Sequence, residues 1–134
     1  MNDLFAMIYE WLYYEPEFSS LMYTNGLYGL LGIFTILIPL IIVVLYYLTM
    51  NHPRLNRKKH WAIALVFNAL LSFFTSFTLV TFLIASLNME DSDTSYVIQS
   101  IEFSLVSILY AVILFVIFSL LIKPFSTNCS KTPF

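Results

Sequence analysis

Residues 61–87 read WAIALVFNALLSFFTSFTLVTFLIASL, 27 residues without a charge. At about 1.5 Å per residue a helix of that length spans roughly 40 Å, more than the roughly 30 Å hydrocarbon core of a bilayer. Four bases stand just before it (Arg54, Arg57, Lys58 and Lys59) and three acids just after it (Glu90, Asp91 and Asp93). Comparable apolar runs lie on either side, Leu27 to Met50 and Val97 to Ile122. The pattern predicts an all-α integral membrane protein with three transmembrane helices, preceded by a short interfacial amphipathic helix.

Composition agrees. Of the 134 residues, 60% are apolar and 10% charged, against about 45–50% and about 25% in a soluble domain. So little polar surface cannot cover a water-soluble fold of this size, and the mean hydropathy of +0.84 points the same way. The net charge of −2 is small, but its distribution is uneven. Residues 1–50 hold four acids and no Lys or Arg, whereas residues 51–60 hold four bases and no acid. Blocks of this kind set membrane orientation and are not a nucleic-acid signature. Cys129 is the single cysteine, which excludes an intrachain disulfide and suggests neither a zinc site nor a redox pair.

The first 15 residues lack the positive start and small-residue cleavage site of a secretory signal. On a helical wheel Leu4, Ile8, Trp11 and Leu12 share a face, while Asp3, Ala6, Glu10 and Tyr13 take the other. Asn2 is placed to cap the start, and Pro16 ends the pattern. A helix in the membrane interface follows, with Trp11, Tyr13 and Tyr14 at headgroup depth. Residues 17–25 read as a connector.

In the first span, Pro39 removes a helix hydrogen bond and crowds the carbonyl of Thr35, whose hydroxyl can soften the loss. A kink is expected there. Gly29, Gly32, Ile36 and Pro39 share a side that permits close approach of a neighbour. Tyr46 and Tyr47 are expected to mark the far interface.

The loop 51–60 is short and basic, which places it in the cytoplasm. Arg54, Arg57, Lys58 and Lys59 are expected to meet anionic lipid headgroups or an acidic partner, and Trp11 is the matching docking residue on the first helix. His52 and His60 lack companions for a metal site.

The second span holds most of the polar content. Trp61, Ala64, Asn68, Ser72, Thr75 and Ser86 fall near one line. They suit either helix packing or the lining of a narrow hydrophilic path. On the third span Ser100, Ser104, Ser107 and Ala111 form a small-residue seam. Glu102 stands on another side, close to the expected start of the span, and the deeper Tyr110 needs a hydroxyl partner within the bundle. The acids of residues 88–96 lack the glycine and terminal Glu of a twelve-residue calcium loop.

The expected order is therefore an extracytoplasmic helix and connector (1–26), a first span (27–50), a basic cytoplasmic loop (51–60) and a second span (61–87). An acidic extracytoplasmic loop (88–96), a third span (97–122) and a cytoplasmic tail (123–134) complete it. Richness in Ile, Phe, Tyr, Asn and Ser with little Ala suggests an AT-rich bacterial genome, hence the inner membrane. No nucleophile with a base, paired buried carboxylates, phosphate loop or ligand cluster is visible, and no metal or cofactor is expected. The sequence points to a non-enzymatic membrane subunit, an anchor or assembly element of a larger complex. A small oligomeric pore or transport protein is the alternative. Membrane lipids and either further copies or other membrane subunits are the expected partners. More packing seams than three helices can use argue for such association.

Overall fold

The computed structural model describes residues 1–49, 58–87 and 94–126. Among these the chain is 91% helical, with no strand. Two short helices, α1 (Asn2–Glu10) and α2 (Pro16–Thr24), precede α3 (Leu27–Val44), which ends in a π turn, Leu45–Thr49. Two 29-residue helices follow, α4 (Lys58–Ser86) and α5 (Thr94–Ile122), the latter closing in a 3-10 turn at Lys123–Phe125. Three helices, Leu27–Leu48, Lys58–Ser86 and Ser95–Phe125, are long and apolar enough to cross a membrane.

Several boundaries differ from the sequence reading. Residues 17–25 are not a connector, because α2 occupies most of them. Pro16 sits in its first turn, where the missing N–H has no helical partner to lose and the fixed φ suits the helix. One proline thus closes the first pattern and opens a second. Lys58 to His60 and Thr94 to Tyr96 belong to the first turns of α4 and α5 rather than to loops. Gly26 joins α2 to α3 at φ +68°, a conformation that favours glycine. Pro39 is buried inside α3, which runs unbroken past it as far as the π turn.

The helices pack α4 on α5 and α3 against both. Contacts of Trp61 with Ser119 and of Asn68 with Ala111 show that α4 and α5 are antiparallel. Two apolar cores lie at opposite ends. One joins Tyr9, Phe18, Met22, Tyr28, Leu31, Val80 and Phe103, so it contains α1 and α2 as well as the long helices. The other joins Ile42, Val43, Tyr46, Tyr47 and Phe115. Tyr46 and Tyr47 are therefore core residues and not an exposed interfacial belt. Between the cores the contact surface is built of small residues, including Ser72, Ser76, Ser104, Ser107 and Ala111, all buried. That is how helices in lipid gain attraction, because apolar side chains gain little by leaving one apolar solvent for another. The outward faces carry Ile63, Val66, Phe67, Phe74, Leu105 and Leu109, all exposed.

Candidate functional site

The α1–α2 pair forms a cap packed along the N-terminal half of α3, reaching Thr35 and Tyr110 at mid-helix. Asn2 was expected to cap its own helix. Its side chain instead donates to the Tyr23 carbonyl at 2.9 Å and accepts from the Gly29 N–H at 3.0 Å. That ties the start of α1 to the end of α2 and the start of α3. Phe5 lies against Gly32 so closely that a Cβ on the glycine would sit 2.2–2.5 Å from ring atoms. The neighbour that the glycine side of α3 admits is therefore α1, not another span.

Tyr9, which the sequence reading did not single out, is the deepest anchor of α1. Its hydroxyl pairs with that of Thr35 at 2.5 Å, so the Thr35 side chain answers α1 rather than the gap left by Pro39. Its ring stacks on Phe103 at a centroid distance of 4.8 Å and meets Tyr110 edge-on. Tyr110 in turn donates its hydroxyl to the Ile8 carbonyl at 2.5 Å, which satisfies an acceptor in the last turn of α1. Burial raises the Tyr9 pKa, opposed by its hydrogen bonds with Thr35 and Ser107.

Phenols face carboxylates at this end: Tyr23 donates to Asp3, and Glu10 and Glu102 lie near Tyr28 and Tyr13. Among the described residues, Lys58, Lys59 and Lys123 all stand at the opposite end. Both Tyr13 and Tyr23 are raised, Tyr13 first by burial and then by Glu102, Tyr23 first by its bond to Asp3. Glu102 is thus an exposed residue close to Tyr13 of the α1–α2 link.

The face of α1 that touches the protein is Phe5, Ala6 and Tyr9. Leu4, Met7, Ile8, Trp11 and Leu12 face outward, with Trp11 81% exposed. Tyr14 is exposed, whereas Tyr13 is half-buried on Phe18.

Within the long helices, Asn68 is fully buried and donates Nδ2 to the Ala111 carbonyl at 3.0 Å. Its Oδ1 and the Ser72 hydroxyl, one turn apart, are buried without a partner among the described residues. Thr75 leaves the line, being half-buried and returning its hydroxyl to the Leu71 carbonyl. Ser76 and Val80 take the next buried positions. The buried row follows the i, i+4 ridge, which rotates along the helix and fits the groove of its neighbour. The serine seam of α5 faces inward as expected, but its hydroxyls bond within their own helix. Ser100 donates to the Tyr96 carbonyl, Ser104 to Ser100 and Ser107 to Phe103. Trp61 donates Nε1 to Ser119 at 3.3 Å and packs on Phe115. Asn68 and Ser72 of the α4 line and the serine seam of α5 are buried inside the bundle, whereas Ser86 is exposed.

Lys58 and Lys59 are exposed at the start of α4. Arg54, Arg57, the acids Glu90, Asp91 and Asp93, and Cys129 lie outside the described residues. No known family model, characterised protein or solved structure matches the chain.

Proposed function

We propose that the chain is a non-enzymatic integral membrane subunit, an anchor or assembly element of a larger membrane complex. The observation that carries this reading is the contrast between the two faces of α1. One face is fixed to the bundle by Asn2, Phe5, Tyr9 and the Tyr110 bond. The other holds Leu4, Met7, Ile8 and Trp11 in the open on a helix that cannot turn to hide them. A fixed apolar ridge on a membrane bundle suits contact with another membrane subunit as well as with lipid.

Charge supports an orientation. The described acids, Asp3, Glu10, Glu15, Glu17 and Glu102, all belong to the cap end, and the described lysines, Lys58, Lys59 and Lys123, to the opposite end. The rule that basic ends stay inside puts the cap outside and the start of α4 in the cytoplasm, in a bacterial inner membrane. The pore alternative asks Asn68, Ser72 and Thr75 to face a shared axis. Asn68 and Ser72 are instead buried between helices, which favours the packing role.

Photo-crosslinking from position 7 or 11 in native membranes tests the reading. Discrete protein adducts, homomeric or heteromeric, are expected. Adducts to lipid alone, with recovery of an isolated monomer from mild detergent, would contradict it.

A further inference from the structure

An apolar groove of about 320 Å³ runs between the end of α3 and the first turns of α4. Ile42, Leu45 and Tyr46 form one wall, and His60, Ile63, Ala64 and Phe67 the other. Its volume falls at the lower end of the roughly 300–1,000 Å³ of small-ligand sites. Two features set it apart from the rest of the lipid-facing surface. The α3 wall includes the π turn, which widens the helix where Leu45 and Tyr46 enter the groove, and such turns are frequent at functional sites. Beyond the lining residues, exposed Lys59 stands one turn before Ile63 on the same side of α4, adjacent in sequence to exposed Lys58. The Nδ1 of His60 is shielded without a partner among the described residues. The described acids are all at the far end of the bundle, so none is placed to neutralise these lysines.

We infer that this groove binds one acyl chain of an anionic phospholipid, with the headgroup phosphate held by Lys58, Lys59 and His60. The inference rests on the membrane-spanning reading and deepens it. Charge complementarity selects the headgroup, because each Lys near a membrane surface favours an anionic lipid by roughly fivefold. The apolar walls select a hydrocarbon chain, and Ala64 leaves room for it where a larger residue would fill the groove.

Trp61, beside His60, is the probe. A Trp11→Phe variant leaves it as the single tryptophan. The protein is reconstituted in phosphatidylcholine vesicles containing a minor fraction of brominated phosphatidylglycerol or, in parallel, of brominated phosphatidylcholine. Quenching at least threefold stronger by the anionic lipid is expected. That preference should vanish in Lys58→Gln/Lys59→Gln/His60→Ala, while Ala64→Phe should weaken quenching by both lipids. High salt applied to the unsubstituted site gives the same answer without relying on the variants to fold. Equal quenching by the two lipids, or a preference that survives both the triple substitution and high salt, would overturn the inference alone. Absence of quenching by either lipid would overturn the membrane-spanning reading and this inference with it.

Discussion

The Tyr110 hydroxyl and the Ile8 carbonyl are 2.5 Å apart although 102 positions separate them in the chain. The bond joins the middle of α5 to the last turn of α1, and the cap depends on such long-range ties. Tyr110→Phe removes the donor and leaves the carbonyl unsatisfied. A loss of about 0.5–1.5 kcal/mol in the docking of α1 is expected. Hydrogen exchange should show faster exchange of α1 amides with α4 and α5 unchanged. Unchanged α1 protection would remove Tyr110 from the anchor.

Gly29 and Gly32 predict opposite behaviour under the same substitution. Alanine at Gly32 drives a methyl into the Phe5 ring, near its stiff base, and overpacking of this kind costs about 1–3 kcal/mol. Alanine at Gly29 meets Asn2 atoms at 3.8 Å, an ordinary contact. Thermal unfolding in detergent should separate the two, with Gly32→Ala clearly less stable and Gly29→Ala close to the parent. Equal effects would place α1 elsewhere than on this side of α3.

Asn68 makes one interhelical bond and buries one unmatched oxygen. Such bonds average about 0.6 kcal/mol in membrane helices, and removing an unpartnered polar atom offsets part of that. Asn68→Leu should therefore change stability by less than about 1 kcal/mol. Asn68→Asp, which places an ionisable group in the same position, should destabilise by several times as much. A large loss in the leucine variant would show that Oδ1 has a partner of its own.

Alkaline pH should release the cap before it melts the bundle. Tyr13 and Tyr23 have raised pKa values in the fold, and so does the buried Tyr9. Above the ordinary tyrosine value of about 10 the folded cap holds more protons than the released one, so its stability falls as pH rises. It is fully present below about pH 10 and is lost as pH climbs through the folded values. Tyr13→Phe should flatten that dependence. The check is α1 hydrogen exchange, corrected for intrinsic rates, followed across this range.

Much of the bundle was legible in the sequence. Three long apolar runs, the inward serine seam of α5 and the need of Tyr110 for a partner all follow from residue type and helical spacing. What stayed hidden has physical causes. The wheel showed the apolar face of α1 but could not say that Phe5, Ala6 and Tyr9 would meet protein while Leu4, Ile8 and Trp11 met the surroundings. In lipid both faces can be apolar, so periodicity alone does not point inward. A straight line on α4 chose Thr75 over Ser76, because the buried row follows the rotating i, i+4 ridge. The phenol–carboxylate pairs join groups far apart in sequence, and no local spacing encodes them.

The account stands most directly on the cap and the start of α4 lying on opposite sides of a membrane. Single cysteines at Ser20 and at Lys58, both exposed, test this in a Cys129→Ser background. In intact cells a membrane-impermeant maleimide should label position 20 at once, and position 58 only after permeabilisation. Labelling of both positions in intact cells, or of position 58 alone, would contradict the account.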